Sequence, residues 1–181
     1  MDERNHHIAV TAIIVKNGKY LITKRAGNRE AFNDLWTVPG GKIEKSDYER
    51  PKDTEAHWYN VLEEALRREV MEELGLEIGD LKYLTNLTFM KKDVPVLVVS
   101  MYTESHTGEV KINDESVDHK WVSLEEAKNY DLIEGIYEEL EMLDELLRGE
   151  KIGEWKKKQD EQEVEVIGVD RFEIKNGFER Y

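Results

Sequence analysis

Residues 68–76 read REVMEELGL and include three glutamates, Glu69, Glu72 and Glu73. Positions i, i+3 and i+4 share one face of an α-helix, so the three carboxylates are predicted to lie together. Their repulsion would destabilise a bare helix, whereas a divalent cation would relieve it, because Mg²⁺ and Mn²⁺ prefer oxygen ligands. Spacing alone leaves two readings open, a metal site and a solvated acidic face, which is common in a chain this acidic.

The same helix carries apolar residues at helical spacing on a different face, namely Leu62, Ala65, Leu66, Val70 and Leu74. The pattern predicts one helix from about Thr54, as N-cap, to the residue before Gly75, which ends it. Such a helix can pack against a core and still present its carboxylates to a ligand.

Strand patterns precede this helix. The apolar runs 8–15 and 20–23 are joined through Asn17-Gly18, which is a hairpin signal. A short strand is predicted over residues 36–38, followed by Pro39-Gly40-Gly41. The two glycines permit a tight turn and a close approach of the backbone to a ligand.

Further strands and helices follow it. Residues 81–89, 94–103 and 120–122 are predicted strands, Ser123 to Glu126 resembles a capping box, and residues 133–147 form an amphipathic helix pattern. Strands and helices mixed in this order predict an α/β (α+β) fold with a mixed β-sheet between helices.

Composition limits the classes of function. The chain has 181 residues, no cysteine and a formal net charge of −14, so we expect no disulfide or cysteine nucleophile and no broad nucleic-acid surface. No apolar run reaches the roughly 18 residues of a membrane span, and the polar N-terminus lacks a signal-peptide pattern. We therefore expect a cytoplasmic protein without membrane or nucleic-acid partners.

The composition changes after Gly149. Residues 1–149 are predicted to form the main domain, and residues 150–181 an extension. Runs 164–169 and 172–174 alternate like strands, so three interpretations of the extension are open, namely a β-hairpin, the arm of a homodimer and a partly disordered extension.

Three motifs together resemble the Nudix hydrolase family. Residues 68–76 match every position of the second half of the Nudix box, R-E-U-x-E-E-x-G-U with U apolar. Residues 35–44, LWTVPGGKIE, resemble the strand and glycine loop that open the box, and residues 121–126 resemble a strand-to-helix junction of the family. The resemblance covers about residues 7–147 and implies a Nudix-like α/β/α sandwich with a metal-dependent diphosphate site.

The glycine loop departs from the family pattern. Asn60 occupies the position of the first box glutamate, and extra residues separate Gly41 from Arg68. We place an insertion within about residues 45–59. Three acidic residues in or next to this segment are candidates to replace the missing glutamate in space, and these are Glu44, Glu49 and Glu55.

The resemblance implies a metal-binding role for five residues. The carboxylates of Glu69, Glu72, Glu73 and Glu115 and the carbonyl of Gly40 would hold Mg²⁺ or Mn²⁺. Structural roles are implied for Arg68, Gly41 and Gly75.

The catalytic roles remain open between several carboxylates. Glu69 is our first candidate for the general base and Glu115, six residues before Trp121, is the second. Asp118 is an alternative to Glu115 in the same loop, and either could also be a surface carboxylate. Glu72 completes the candidate catalytic set as a metal ligand.

Three residues are candidate substrate contacts. Lys24 and Arg25 could contact a distal phosphate or be ordinary strand-end charges. Glu134 lies near the position where such enzymes recognise a base edge, and it could equally be a solvent-facing helix residue.

The resemblance implies a small-molecule substrate, a nucleotide or a nucleoside-diphosphate derivative. The glycine-loop run looks most like the MutT branch, which implies hydrolysis of a nucleoside triphosphate to a monophosphate and pyrophosphate. The alternatives are hydrolysis of a linked nucleoside diphosphate, such as ADP-ribose, a dinucleotide or a coenzyme A type, and a non-catalytic nucleotide sensor.

Overall fold

The computed structural model describes residues 4–27 and 32–157. In these residues the strands are β1 His7–Lys16, β2 Lys19–Arg25, β3 Trp36–Thr37, β4 Gly40–Lys42, β5 Glu77–Ile78, β6 Lys82–Lys91, β7 Val94–Thr103, β8 His106–Thr107 and β9 Ser116–Val122. The helices are α1 Val61–Leu74, α2 Leu124–Ala127 and α3 Ile136–Leu147, with a 3₁₀ helix at Lys45–Tyr48.

Strand β1 is the centre of a mixed sheet. It runs parallel to β7, and it pairs antiparallel with β2 and β4. The sheet follows the order β3-β2-β1-β7-β6, with β9 added beside β2, and β5 pairs with β8 in a separate ribbon. The predicted hairpin forms between β1 and β2, where Asn17 and Gly18 take φ of 52° and 71°.

The two faces of β1 pack against different helices. Val10, Ala12 and Ile14 are buried against the apolar stripe of α1, and Ile13 and Val15 are buried with the apolar residues of α3. Alternation along the strand explains this division. The sheet therefore lies between helices, which confirms the predicted α/β/α sandwich.

Helix α1 begins later than predicted. Thr54 is not an N-cap, because its hydroxyl accepts a hydrogen bond from the His57 backbone N–H in a turn. The loop is held instead by Trp58 Nε1, which donates to the carbonyl of Arg50 over 2.9 Å. Asn60 then takes a left-handed φ of 55°, and the helix starts at the next residue. The prediction of a start near Thr54 was wrong because these loop contacts outweigh a local capping preference.

The later elements also differ at their ends. Helix α3 starts at Ile136 instead of residue 133, because Gly135 before it has a φ of 92°. Strand β9 extends back to Ser116, since it pairs with β2 along its whole length. The strands predicted within residues 164–174 lie outside the described residues.

Candidate active site

The C-terminal half of α1 lies directly against the glycine strand β4. Glu73 is 8% exposed, and its Oε2 accepts a hydrogen bond from the Gly40 backbone N–H over 3.2 Å. A Cβ on Gly41 would collide with the carboxylate of Glu69, and one on Gly40 would collide with the carbonyl of Val10. Glycine at position 41 therefore allows the Glu69 carboxylate to approach the loop backbone, and glycine at position 40 allows β4 to lie close against β1.

Arg68 is the cation of this cluster. Its Nη1 donates to Glu69 Oε1 over 3.0 Å and to Glu72 Oε2 over 3.3 Å. On its other side, Nε donates to Asp47 Oδ1 over 3.0 Å and Nη2 donates to Asp47 Oδ2 over 3.3 Å. The guanidinium thus joins the carboxylate helix to the loop that contains the 3₁₀ helix.

Asp47 is a residue that the sequence reasoning missed. Its side chain is 7% exposed, and Oδ2 also accepts from the Glu44 backbone N–H over 2.7 Å. We expected Glu44, Glu49 or Glu55 to replace the missing box glutamate in space, whereas the described carboxylate of this loop that pairs with Arg68 is that of Asp47. The usable signal was the spacing of Glu44 and Asp47, which is that of a capping box at a helix start.

A second loop brings Glu115 to the cluster. Asn113 Nδ2 donates to the carbonyl of Glu72 over 3.1 Å, and its Oδ1 accepts from the Glu115 backbone N–H over 2.9 Å. Burial raises the pKa of both Glu69 and Glu73, and the charge of Glu115 adds to both shifts, as expected for a carboxylate that Asn113 holds beside the end of α1. Asn113 was also missed, since nothing in its local sequence marks a contact with a helix end.

The remaining predicted residues are divided between the cluster and other surfaces. Arg25 lies close enough to Glu73 to lower the pKa of that carboxyl. Asp118 is instead paired with Lys120 at 3.2 Å on β9. Among the described residues, no hydrogen bond or ion pair joins Lys24 to the helix carboxylates.

Glu134 is not brought to the carboxylates either. It is exposed at the turn before α3, where it lines a cleft of about 740 Å³ with Tyr137 and Trp155. This cleft lies between the outer side of α3 and residues 151–157.

The electrostatics of the cluster favour a cation. Burial raises the pKa of Glu73 to about 7, opposed by the Gly40 hydrogen bond and reinforced by the charges of Glu69 and Glu115. Burial likewise raises the pKa of Glu69, and the neighbouring guanidinium of Arg68 opposes the rise. Burial and mutual repulsion disfavour the charged forms of these carboxyl groups, and a bound cation would offset that repulsion.

The donor set fits a hard divalent cation, although the side chains of Glu69 and Glu72 are turned toward Arg68. Within residues 4–27 and 32–157, no three acidic or histidine side chains converge on one point as they stand. Glu72 is 58% exposed in its side chain, so it can leave Arg68 without disturbing the core. Four carboxylates beside a glycine backbone are the oxygen donors that Mg²⁺ and Mn²⁺ take.

The raised pKa of Glu73 predicts how stability depends on pH. Between pH 4.5 and about 7 the folded protein holds a proton on Glu73 that the unfolded chain releases, so the free energy of unfolding falls as pH rises. Without added metal, the wild type should lose up to about 3 kcal/mol relative to Glu73→Gln across this window. Thermal melts of both proteins in a chelator would measure it. A difference that stays constant or grows in favour of the wild type would contradict the assigned burial.

Comparison with known proteins identifies the family. A family model described as the NUDIX domain matches residues 5–143. The chain belongs to the Nudix hydrolase family. Nudix hydrolases act on pyrophosphate bonds and generally use divalent metals. The matched residues include the glycine strand, the carboxylate helix and Glu115.

Individual Nudix proteins are similar to this chain in sequence and in structure. The nucleoside triphosphatase NudI of Escherichia coli K12 is 31% identical over 134 residues, which are 68% of this chain and 86% of that protein. The MutT protein from Methanosarcina mazei Go1 is similar in structure, with a TM-score of 0.63, 25% identity and coverage of 82% of this chain and 99% of its own. The NUDIX domain of Shewanella oneidensis NrtR, solved with ADP ribose, shares the fold with a TM-score of 0.62, 18% identity and coverage of 80% and 90%.

Within the part of the chain that the structure describes, no helix is both long and apolar enough to span a bilayer.

Proposed function

We propose that this protein is a Mg²⁺-dependent pyrophosphohydrolase that cleaves a nucleoside triphosphate to a monophosphate and pyrophosphate. The observation that carries the proposal is the placement of Glu69 and Glu73 against the backbone of Gly41 and Gly40, with Glu115 brought beside them. Similarity to the nucleoside triphosphatase relatives supports this substrate class over other phosphoanhydrides.

Glu69, Glu72, Glu73 and Glu115, with the carbonyl of Gly40, would hold Mg²⁺ or Mn²⁺. A bound ion of this kind supplies charge neutralisation of the phosphates and a more acidic water. Glu73 is the most buried of these carboxylates, so we infer that it anchors the ion while the exposed Glu72 completes the site.

The protein groups divide the remaining work. Glu69 is half-buried, carries a raised pKa and is oriented by Arg68, so it is our candidate to take the proton of the attacking water. Glu115 is the second candidate. Arg25, whose charge lowers the pKa of Glu73, is our first candidate to contact the phosphates of the substrate, and Lys24 is the second.

We also propose that residues 1–149 form the catalytic unit and that residues 150–181 are an extension to it. Deleting residues 158–181 should therefore leave turnover intact, and a loss of turnover would contradict this division of the chain.

The test is a panel of nucleotides assayed with Mg²⁺, with products read by ³¹P NMR. We expect nucleoside triphosphates to give monophosphate and pyrophosphate. Release of inorganic phosphate, or turnover of ADP-ribose, dinucleotides or coenzyme A with inert triphosphates, would contradict the proposal. Nucleotide binding without any turnover would favour a sensor instead.

A further inference from the structure

A chain of three polar side chains crosses the sheet on the face that packs against α3. Glu139 is 5% exposed, and its Oε2 accepts a hydrogen bond from Ser100 Oγ over 2.7 Å. Ser100 Oγ lies 2.9 Å from Oγ1 of Thr11 on the neighbouring strand. Thr11 in turn pairs with Gly40, whose N–H contacts Glu73. This polar chain therefore ends beside the candidate active site.

One carboxyl oxygen of Glu139 makes no hydrogen bond to the described residues. In the described part of the chain, its one hydrogen-bond partner is Ser100, and that bond uses Oε2. Oε1 has no hydrogen-bond partner among the described residues, yet it is not among the described atoms that are sealed from solvent without one. Buried carboxyl oxygens are normally paired, so a free and reachable one is available to a ligand.

The sheet beside Glu139 is incompletely covered. Ala9, Val98 and Leu87 are neighbours on three adjacent strands, on the same face as Thr11, and each keeps partial exposure. We call these three residues the open shelf. Helix α3 begins at its edge, since a Cβ on Gly135 would lie 3.8 Å from Leu87. A flat ring can lie on such an apolar surface while a polar group contacts its edge.

The spacing of the strands connects this shelf to the phosphate site. Gly40, Thr11 and Ser100 lie in one row across β4, β1 and β7. Neighbouring strands are about 4.8 Å apart, so Ser100 is ~10 Å from the glycine that contacts Glu73. That span suits a nucleoside whose phosphates reach the carboxylates of α1 past the edge strand β4, while its base lies on the open shelf on the α3 face.

We propose that Glu139, held by Ser100 and Thr11, recognises the base of the substrate by accepting a hydrogen bond from an exocyclic amino group. This inference rests on the proposed function and adds the base to it. Glu134, the residue expected from sequence for this role, is exposed on the outer side of α3, whereas Glu139 faces the sheet.

Cytosine and uracil nucleotides test for an exocyclic amino group, because the same ring position carries an amino group in cytosine and a carbonyl in uracil. An amino group donates to the Glu139 oxygen, whereas a carbonyl would place two acceptors against each other. Burial raises the pKa of Glu139 to about 7. In a buffer well above that pKa, the wild type should prefer CTP to UTP by about tenfold or more in kcat/KM.

The test compares the CTP to UTP ratio of kcat/KM in four proteins. Glu139→Gln can turn its NH₂ toward a carbonyl, so its ratio should fall by about tenfold. Glu145→Gln, with the same charge change on the same helix, should keep the wild-type ratio. An unchanged ratio in Glu139→Gln, a wild type without preference, or a fall in Glu134→Gln instead would overturn the proposal.

Binding of CMP and UMP without metal, measured by calorimetry, gives a readout independent of turnover. The same preference for cytosine, lost in Glu139→Gln, is expected there, and equal affinities would contradict it. Should Glu139→Gln melt early, Ser100→Ala releases the carboxyl without removing it and should shift both ratios in the same direction. If the wild type hydrolyses no nucleoside triphosphate, the proposed function is wrong. If it does, and Glu139→Gln keeps the wild-type CTP to UTP ratio, only the role of Glu139 is wrong.

Discussion

Glu72→Gln should lower kcat/KM for a nucleoside triphosphate by about a thousandfold, which is about 4 kcal/mol of transition-state stabilisation. Glu72 is largely exposed and makes one described side-chain contact, with Arg68. The substitution removes a charge from the proposed metal site without opening the core. The loss should therefore appear in turnover with little change in the melting temperature.

Glu63→Gln is the matched control, because it makes the same change on the first turn of α1, away from the glycine strand. It should keep wild-type kcat/KM. If Glu72→Gln also retained full activity, the assignment of the carboxylate helix as the metal site would be wrong. Partial recovery of Glu72→Gln at high Mg²⁺ concentration would support loss of metal affinity as the cause.

Asp47→Asn should reduce kcat/KM by about 10- to 100-fold, the range typical of residues that orient metal ligands. Asp47 bonds Arg68 through both carboxylate oxygens, and Arg68 in turn orients Glu69 and Glu72. Loss of hydrogen bonds to a charged group should also cost about 1.5–3 kcal/mol of stability. Steady-state kinetics and chemical denaturation measure the two effects.

Glu49→Gln tests whether any charge change in this loop would do the same. Glu49 is exposed and lies two residues after Asp47 in the sequence. The variant Glu49→Gln should therefore leave activity and stability unchanged. Arg68→Lys should lose much of the same activity, and the double variant Asp47→Asn with Arg68→Lys should lose little more than either alone. Additive losses would show that the two residues do not act as one unit.

The parts of the site that follow local rules were predictable from sequence. The face shared by Glu69, Glu72 and Glu73 depends only on helical periodicity, and the approach of the loop depends on Gly40 and Gly41 having no side chain. The division of β1 into two buried faces follows from alternation in the same way.

The parts that depend on distant contacts were not predictable in this way. Asp47 meets Arg68 across 21 residues, and Asn113 meets the end of α1 across 41. Neither contact leaves a periodic pattern in the sequence, so the capping preference at Thr54 gave a wrong helix start and the search among glutamates did not find Asp47. Glu139 was missed for another reason. It is one of several glutamates on α3, and the sequence does not show that it faces the sheet while its neighbours face solvent.

Titration of the metal-free protein with Mn²⁺, followed by electron paramagnetic resonance, tests the central claim most directly. We predict that the wild type and Glu63→Gln bind Mn²⁺ in competition with Mg²⁺, and that Glu72→Gln and Glu73→Gln bind it at least tenfold more weakly. A wild type that binds no Mn²⁺, or variants that bind it as tightly as the wild type, would contradict the account.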